Sequence, residues 1–197
     1  YWIDDALRGL LPMLWMIIGI GLPWAYAILP TKHWQSRSMI AAIALAVGPA
    51  WITTWMLGLG VIGAQLDQRL FTPELILGGS LIIAAIGFLI TWQKRKNYVP
   101  KSVSLNPLAF DEKLIIGMIV AAVIIRWIHT AFWTFTAYDA LWVYGFQGRL
   151  YFLEGFIPNS IGYYPQFVQL QYTYIQVLIG EINDHAARMV IPMMHIG

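Results

Sequence analysis

Apolar residues fill long blocks of this chain, and charge collects in the short stretches between them. An α-helix crosses the hydrocarbon core of a bilayer in about 20 apolar residues. On that measure the pattern predicts membrane spans at roughly 9–30, 39–64, 75–92 and 114–136. A shorter, wetter span is predicted at roughly 164–180, and a sixth begins near Ala186. Pro12 and Pro23 are expected to bend the first span and Gly48-Pro49 the second, as a bundle tolerates. Ala42, Ala46 and Ala50 recur every four residues, a face expected to admit a neighbouring helix closely. Gln166, Gln169, Gln171 and Gln176 are expected to hydrogen-bond between helices.

The polar stretches set the topology. Lys32 and Arg37 follow the first span; Lys94, Arg95, Lys96, Lys101 and Lys113 follow the third. Between them, Arg69 is offset by Asp67 and Glu74. The positive-inside rule then places the two basic loops in the cytoplasm and residues 137–163 on the other face. The segment 94–113, broken by Pro100 and Pro107, also admits a second reading as a docking patch for anionic lipid.

Composition agrees. The chain is 59% hydrophobic and 11% charged, against about 25% charged in soluble domains. The expected fold is an all-α polytopic bundle with about five complete spans and an amphipathic surface helix over residues 140–154, where Trp142, Phe146, Leu150 and Leu153 form one stripe. The ten tryptophans are expected mostly at span ends, as interfacial belts. Without cysteine there is no disulfide and no thiolate metal site. No nucleic-acid motif, phosphate loop or internal repeat is present, and His33, His129, His185 and His195 lack zinc spacing. The chain opens at Tyr1 and stops at Gly197 inside an apolar stretch, and is expected to be part of a longer protein.

Four residues stand out chemically. Asp139 falls where the fourth span ends and the surface helix starts; it suits an N-cap, and equally a general base beside aromatic neighbours. Arg126 lies near the midplane of the fourth span, where a charge costs a few kcal/mol or more. It is either a structural arginine or a contact for a lipid phosphate. Arg149 is either solvated among head groups or a second phosphate ligand. His129, one turn after Arg126, either hydrogen-bonds in the bundle or ligates a haem iron or a pigment magnesium.

From Thr136 onward the chain reads "TAYDALWVYGFQGRLYFLEG", then "YYPQ" at 163–166 and "GEINDHAARMVIP" at 180–192. This order resembles the front of the polyprenol-dependent membrane glycosyltransferases of the GT-C superfamily, of the protein mannosyltransferase and aminoarabinose transferase type. Residues 114–197 then form the family-like segment, and residues 1–113 three leading helices with a basic loop. The resemblance implies a sugar donor on polyprenyl phosphate, drawn from the lipids of a bacterial inner membrane, and transfer on the non-cytoplasmic face. It implies Asp139 as the base and Arg126, Arg149 and Tyr164 as lipid-phosphate contacts. A divalent metal stays open, because members of the superfamily differ. A second reading, of another class, is a non-catalytic subunit of a larger membrane complex, a degenerate relative that packs helices or holds lipid or pigment beside other membrane subunits.

Overall fold

The computed structural model describes residues 2–99, 109–133, 137–160 and 165–194. Every regular element among them is helical, and the protein is an all-α integral membrane bundle. Helix α1 runs over Trp2–Leu14, widens to a π-helical stretch at Trp15–Gly21, and resumes over Leu22–Ile28. Helices α2 (Arg37–Leu66), α3 (Pro73–Arg95) and α4 (Phe110–Phe132) follow. Helix α5 joins a π-helical Ala140–Gly145 to an α-helical Phe146–Glu154. Helix α6 is Phe167–Ile179, and the short α7 (Asp184–Ala187) and α8 (Val190–Met194) come last.

Helices α1 to α4 are long and apolar enough to cross a membrane. The expected fifth span is different. Helix α6 has 13 residues, so it reaches only about 20 Å at the α-helical rise. The hydrocarbon core is about 30 Å thick. Every residue from Gln169 to Val177 is buried. Its glutamines face protein rather than lipid: Gln169 Nε2 donates to Gln147 Oε1 (2.8 Å), and Gln171 Nε2 to Thr53 Oγ1 (3.1 Å). These are the expected interhelical bonds.

Helices α1 and α2 meet through glycine, not through the predicted alanine face. A Cβ on Gly21 would overlap the Ala44 carbonyl, and one on Gly48 the Met16 carbonyl. Ala42, Ala46 and Ala50 are exposed. A glycine lets backbones approach closer than alanine does, so the face holding Ala44 and Gly48 takes the contact.

The tryptophans also depart from expectation. Trp15, Trp24 and Trp55 sit inside their spans and tie α1 and α2 to α3. Their indoles donate to Ser80 Oγ (3.0 Å), to the Ile83 carbonyl (2.8 Å) and to the Leu75 carbonyl (3.2 Å). Gly79 and Gly87 leave the space that Trp55 and Trp24 fill. A buried indole N–H needs an acceptor, and here a facing helix supplies it.

The prolines mark cross-links. The carbonyl of Pro12 accepts from Tyr174 Oη (3.4 Å), that of Pro23 from Thr91 Oγ1 (2.8 Å) and that of Pro49 from Gln171 Nε2 (3.2 Å). A carbonyl has a second lone pair to offer beyond its helical bond. Helix α2 continues unbroken through Pro49.

Loops gather at two ends, as alternating spans require. At one end Arg8 pairs with Glu181, and Arg69 donates to the Leu153 carbonyl (3.1 Å). There the amides of Leu70 and Phe71 both donate to Gly155. Gly155 ends α5 at φ 80°, a left-handed conformation suited to glycine. At the other end, Lys94 donates to the Ala27 carbonyl at the close of α1.

Candidate functional site

Helix α5 carries its apolar stripe outward. Trp142, Phe146 and Leu153 are exposed, as a helix lying on a membrane surface requires. Its other face is buried against α6 and is polar and small: Gln147, Gly148 and Tyr151. Thr173 Oγ1 donates to the Gly148 carbonyl (3.1 Å), and Tyr151 donates to Gln166. Burial pushes the Tyr151 phenol up to about 12, although the bond to Gln166 draws it down. This polar seam fixes the rotation of α5 and therefore where Arg149 points.

Arg149 reaches α7. Its Nε donates to Asp184 Oδ1 (3.0 Å), and its Nη2 to Asp184 Oδ2. The pair is two-pronged, the geometry a guanidinium and a carboxylate share best. Asp184 is held in place because Asn183 caps α7, its side chain accepting from the Ala186 amide (3.0 Å). Thus the sequence-predicted phosphate ligand Arg149 has an ion-pair partner of its own.

Arg188 closes α7, one turn beyond Asp184. It donates to the Trp133 carbonyl at the end of α4, and His185 Nδ1 lies 2.9 Å from the Ala131 carbonyl. Helix α7 is thereby stitched to the end of α4. Burial lowers the pKa of Arg188; Tyr172 opposes that shift, Arg126 adds to it, and Asp184 opposes it. A guanidinium stays charged regardless, so Arg188 brings a positive charge to the end of α4.

Arg126 lies about two turns before Trp133. It is exposed, and no ion pair or hydrogen bond joins it to another described residue. It marks one end of a groove of about 500 Å³ along α4, lined also by Ile119, Ala122 and Val123. Arg149 and Arg188 thus anchor this end of the bundle, Arg149 through Asp184 and Arg188 through the Trp133 carbonyl, and Arg126 lies on α4 about two turns before that carbonyl. The excess positive charge suits an anionic group with phosphate geometry. The apolar groove suits a hydrocarbon chain.

The other candidates fall as follows. Asp139 is exposed in the helical residues that lead into α5, and its backbone is already helical (φ −63°, ψ −36°). Its side chain makes no capping bond, so the N-cap role is not realised. Tyr138 before it is helical too, and a cap must lie outside the helical dihedrals. His129 is exposed and stacks on Trp133, with ring centroids 5.5 Å apart. Tyr164 lies outside the described residues. No group of three or more His, Asp or Glu side chains gathers among the described residues to hold a metal, and Asp184 is committed to Arg149.

Arg188 and Asp184 were not singled out from sequence. The signal was their spacing of four within "NDHAAR", which puts both on one face of a helical turn. No family model, no curated protein and no solved structure matches the chain.

Proposed function

We propose that the protein is a membrane glycosyltransferase, or the leading part of one, that takes a sugar from a polyprenyl phosphate and transfers it on the non-cytoplasmic face of a bacterial inner membrane. The observation that carries this reading is Arg126 at the end of an apolar groove on a membrane helix, with Arg188 bonded to the end of that same helix. The groove takes the first part of the isoprenoid chain. The two guanidiniums hold the phosphate and neutralise the charge that grows on it as the sugar–phosphate bond breaks. Asp139, exposed at the same end of α4, removes the proton of the acceptor hydroxyl as that oxygen attacks the anomeric carbon. Arg149 is a positioning residue in this account: through Asp184 it sets the place of α7 and so of Arg188.

The test is transfer of labelled sugar from mannosyl- and aminoarabinosyl-polyprenyl phosphate by the full-length protein, with Asp139→Asn alongside. Loss of transfer in the variant, with binding of polyprenyl phosphate intact, supports the reading. Equal turnover in the two proteins removes Asp139 from the mechanism.

One observation favours the second reading, a non-catalytic subunit. Hardly any of the apolar length of α4 is buried among the described residues, far less than that of α1. Such a helix offers a long face to other membrane subunits. Polyprenyl phosphate binding with no transfer from either donor would favour it.

A further inference from the structure

The opposite end of the bundle holds a second pocket, of about 330 Å³, unconnected with the groove on α4. Thr31, Lys32 and Gln35 line one side, from the turn between α1 and α2; Asn97, Tyr98 and Val99 line the other, just past α3. Tyr98 is the aromatic part of its wall and packs against Trp34. Trp34 is buried, with its ring 5.1 Å from Tyr98 and edge-on to Tyr26 at 5.3 Å. The Trp34 indole donates to the carbonyls of Tyr26 (3.2 Å) and Leu29 (3.3 Å), which holds that wall rigid. Lys94 is drawn to the Ala27 carbonyl beneath it.

Charge here is one-sided. Residues 29–38 and 91–99 contain Lys32, Arg37, Lys94, Arg95 and Lys96 and no Asp or Glu. Lys32 is exposed at the pocket mouth. The acids that open α4 are Asp111 and Glu112, and Glu112 accepts from the Ala109 amide (2.8 Å). Large apolar side chains flank the pocket in sequence and lie exposed: Ile28, Met39 and Trp92. A cation at the mouth, hydroxyl and amide groups in the lining and exposed apolar side chains on the adjoining helix ends suit an amphiphile better than a soluble anion.

We infer that this pocket binds the phosphate head group of an anionic glycerophospholipid, its acyl chains running along the exposed apolar side chains of the adjoining helix ends. Lys32 supplies the charge, and Thr31, Gln35 and Asn97 supply the polar lining. The inference stands apart from the proposed transfer reaction.

The experiment is native mass spectrometry of the purified full-length protein, offered phosphatidylglycerol and phosphatidylcholine in equal amounts. Phosphatidylglycerol should be retained preferentially. Lys32→Gln should lower its retention about fivefold, the effect of roughly one interfacial cation, and Lys32→Arg should retain it. Lys32→Gln changes an exposed side chain, so folding is not at stake. Arg126→Gln should leave the Lys32-dependent fraction unchanged, which separates this pocket from the groove on α4. Equal retention of the two lipids, or retention indifferent to Lys32→Gln, overturns the inference. Displacement of the lipid by excess inorganic phosphate would make this a site for a soluble anion, and overturns it too.

Discussion

Arg149 and Asp184, 35 residues apart in the chain, lock α5 to α7 by two parallel hydrogen bonds. The carboxylate is mostly buried, at 17% exposure, so the pair is worth more than a surface contact. Asp184→Asn should destabilise the protein by about 1–3 kcal/mol, the cost of leaving a charged group without its partner. Arg149→Leu combined with Asp184→Leu should be milder than the sum of the single changes. Thermal unfolding in detergent reads both; strictly additive effects would contradict the lock.

The contact between α1 and α7 depends on the missing side chain of Gly9, whose Cβ would overlap the Ala186 carbonyl. Gly9→Ala forces these backbones apart and should cost about 1–3 kcal/mol, as overpacking does. The same change at Gly58, where a Cβ meets nothing within 4 Å, should be neutral or stabilising. Comparing the two unfolding midpoints checks this.

Asp139 is exposed and bears no capping bond. Asp139→Asn should therefore leave the unfolding midpoint within about 0.5 kcal/mol of wild type while lowering transfer by about a hundredfold or more, the usual worth of a general base. A large stability loss would show a structural role instead.

Tyr151 gives a pH dependence. Its folded pKa, about 12, lies above the ordinary 10 because burial disfavours the phenolate. The neutral phenol's contribution is therefore complete below pH 10 and is lost as pH rises toward 12. Alkaline unfolding followed by helical signal should begin in that window, and Tyr151→Phe should flatten it. An unchanged profile in the variant would assign the transition to other groups.

The spans were readable because bilayer thickness dictates apolar block length. Four of them appear within a few residues of their expected bounds, although α1 reaches back through Arg8, Asp5 and Asp4. What pattern did not reveal was which polar residues face protein. Gln169 and Gln171 look wet by residue type but are ringed by other helices, and Trp15, Trp24 and Trp55 point inward because Ser80 and two carbonyls await their N–H groups. At the site, Arg126 was legible from the cost of its charge alone. Arg188 was not, since an arginine after two alanines near a loop resembles any solvated one. Only the fold brings it to the end of α4.

The proposed lipid-phosphate site at Arg126 and Arg188 is tested most directly by photocrosslinking. A photoactivatable polyprenyl phosphate is reacted with the full-length protein in membranes, and the adducts are mapped by peptide sequencing. The expected adducts fall on residues 119–126 of α4 and on the segment around Arg188, and drop about tenfold in Arg126→Gln, the worth of roughly one charge-assisted hydrogen bond. Adducts spread evenly over the four spans, or concentrated on the apolar cleft lined by Leu11, Trp15 and Leu178, would contradict it.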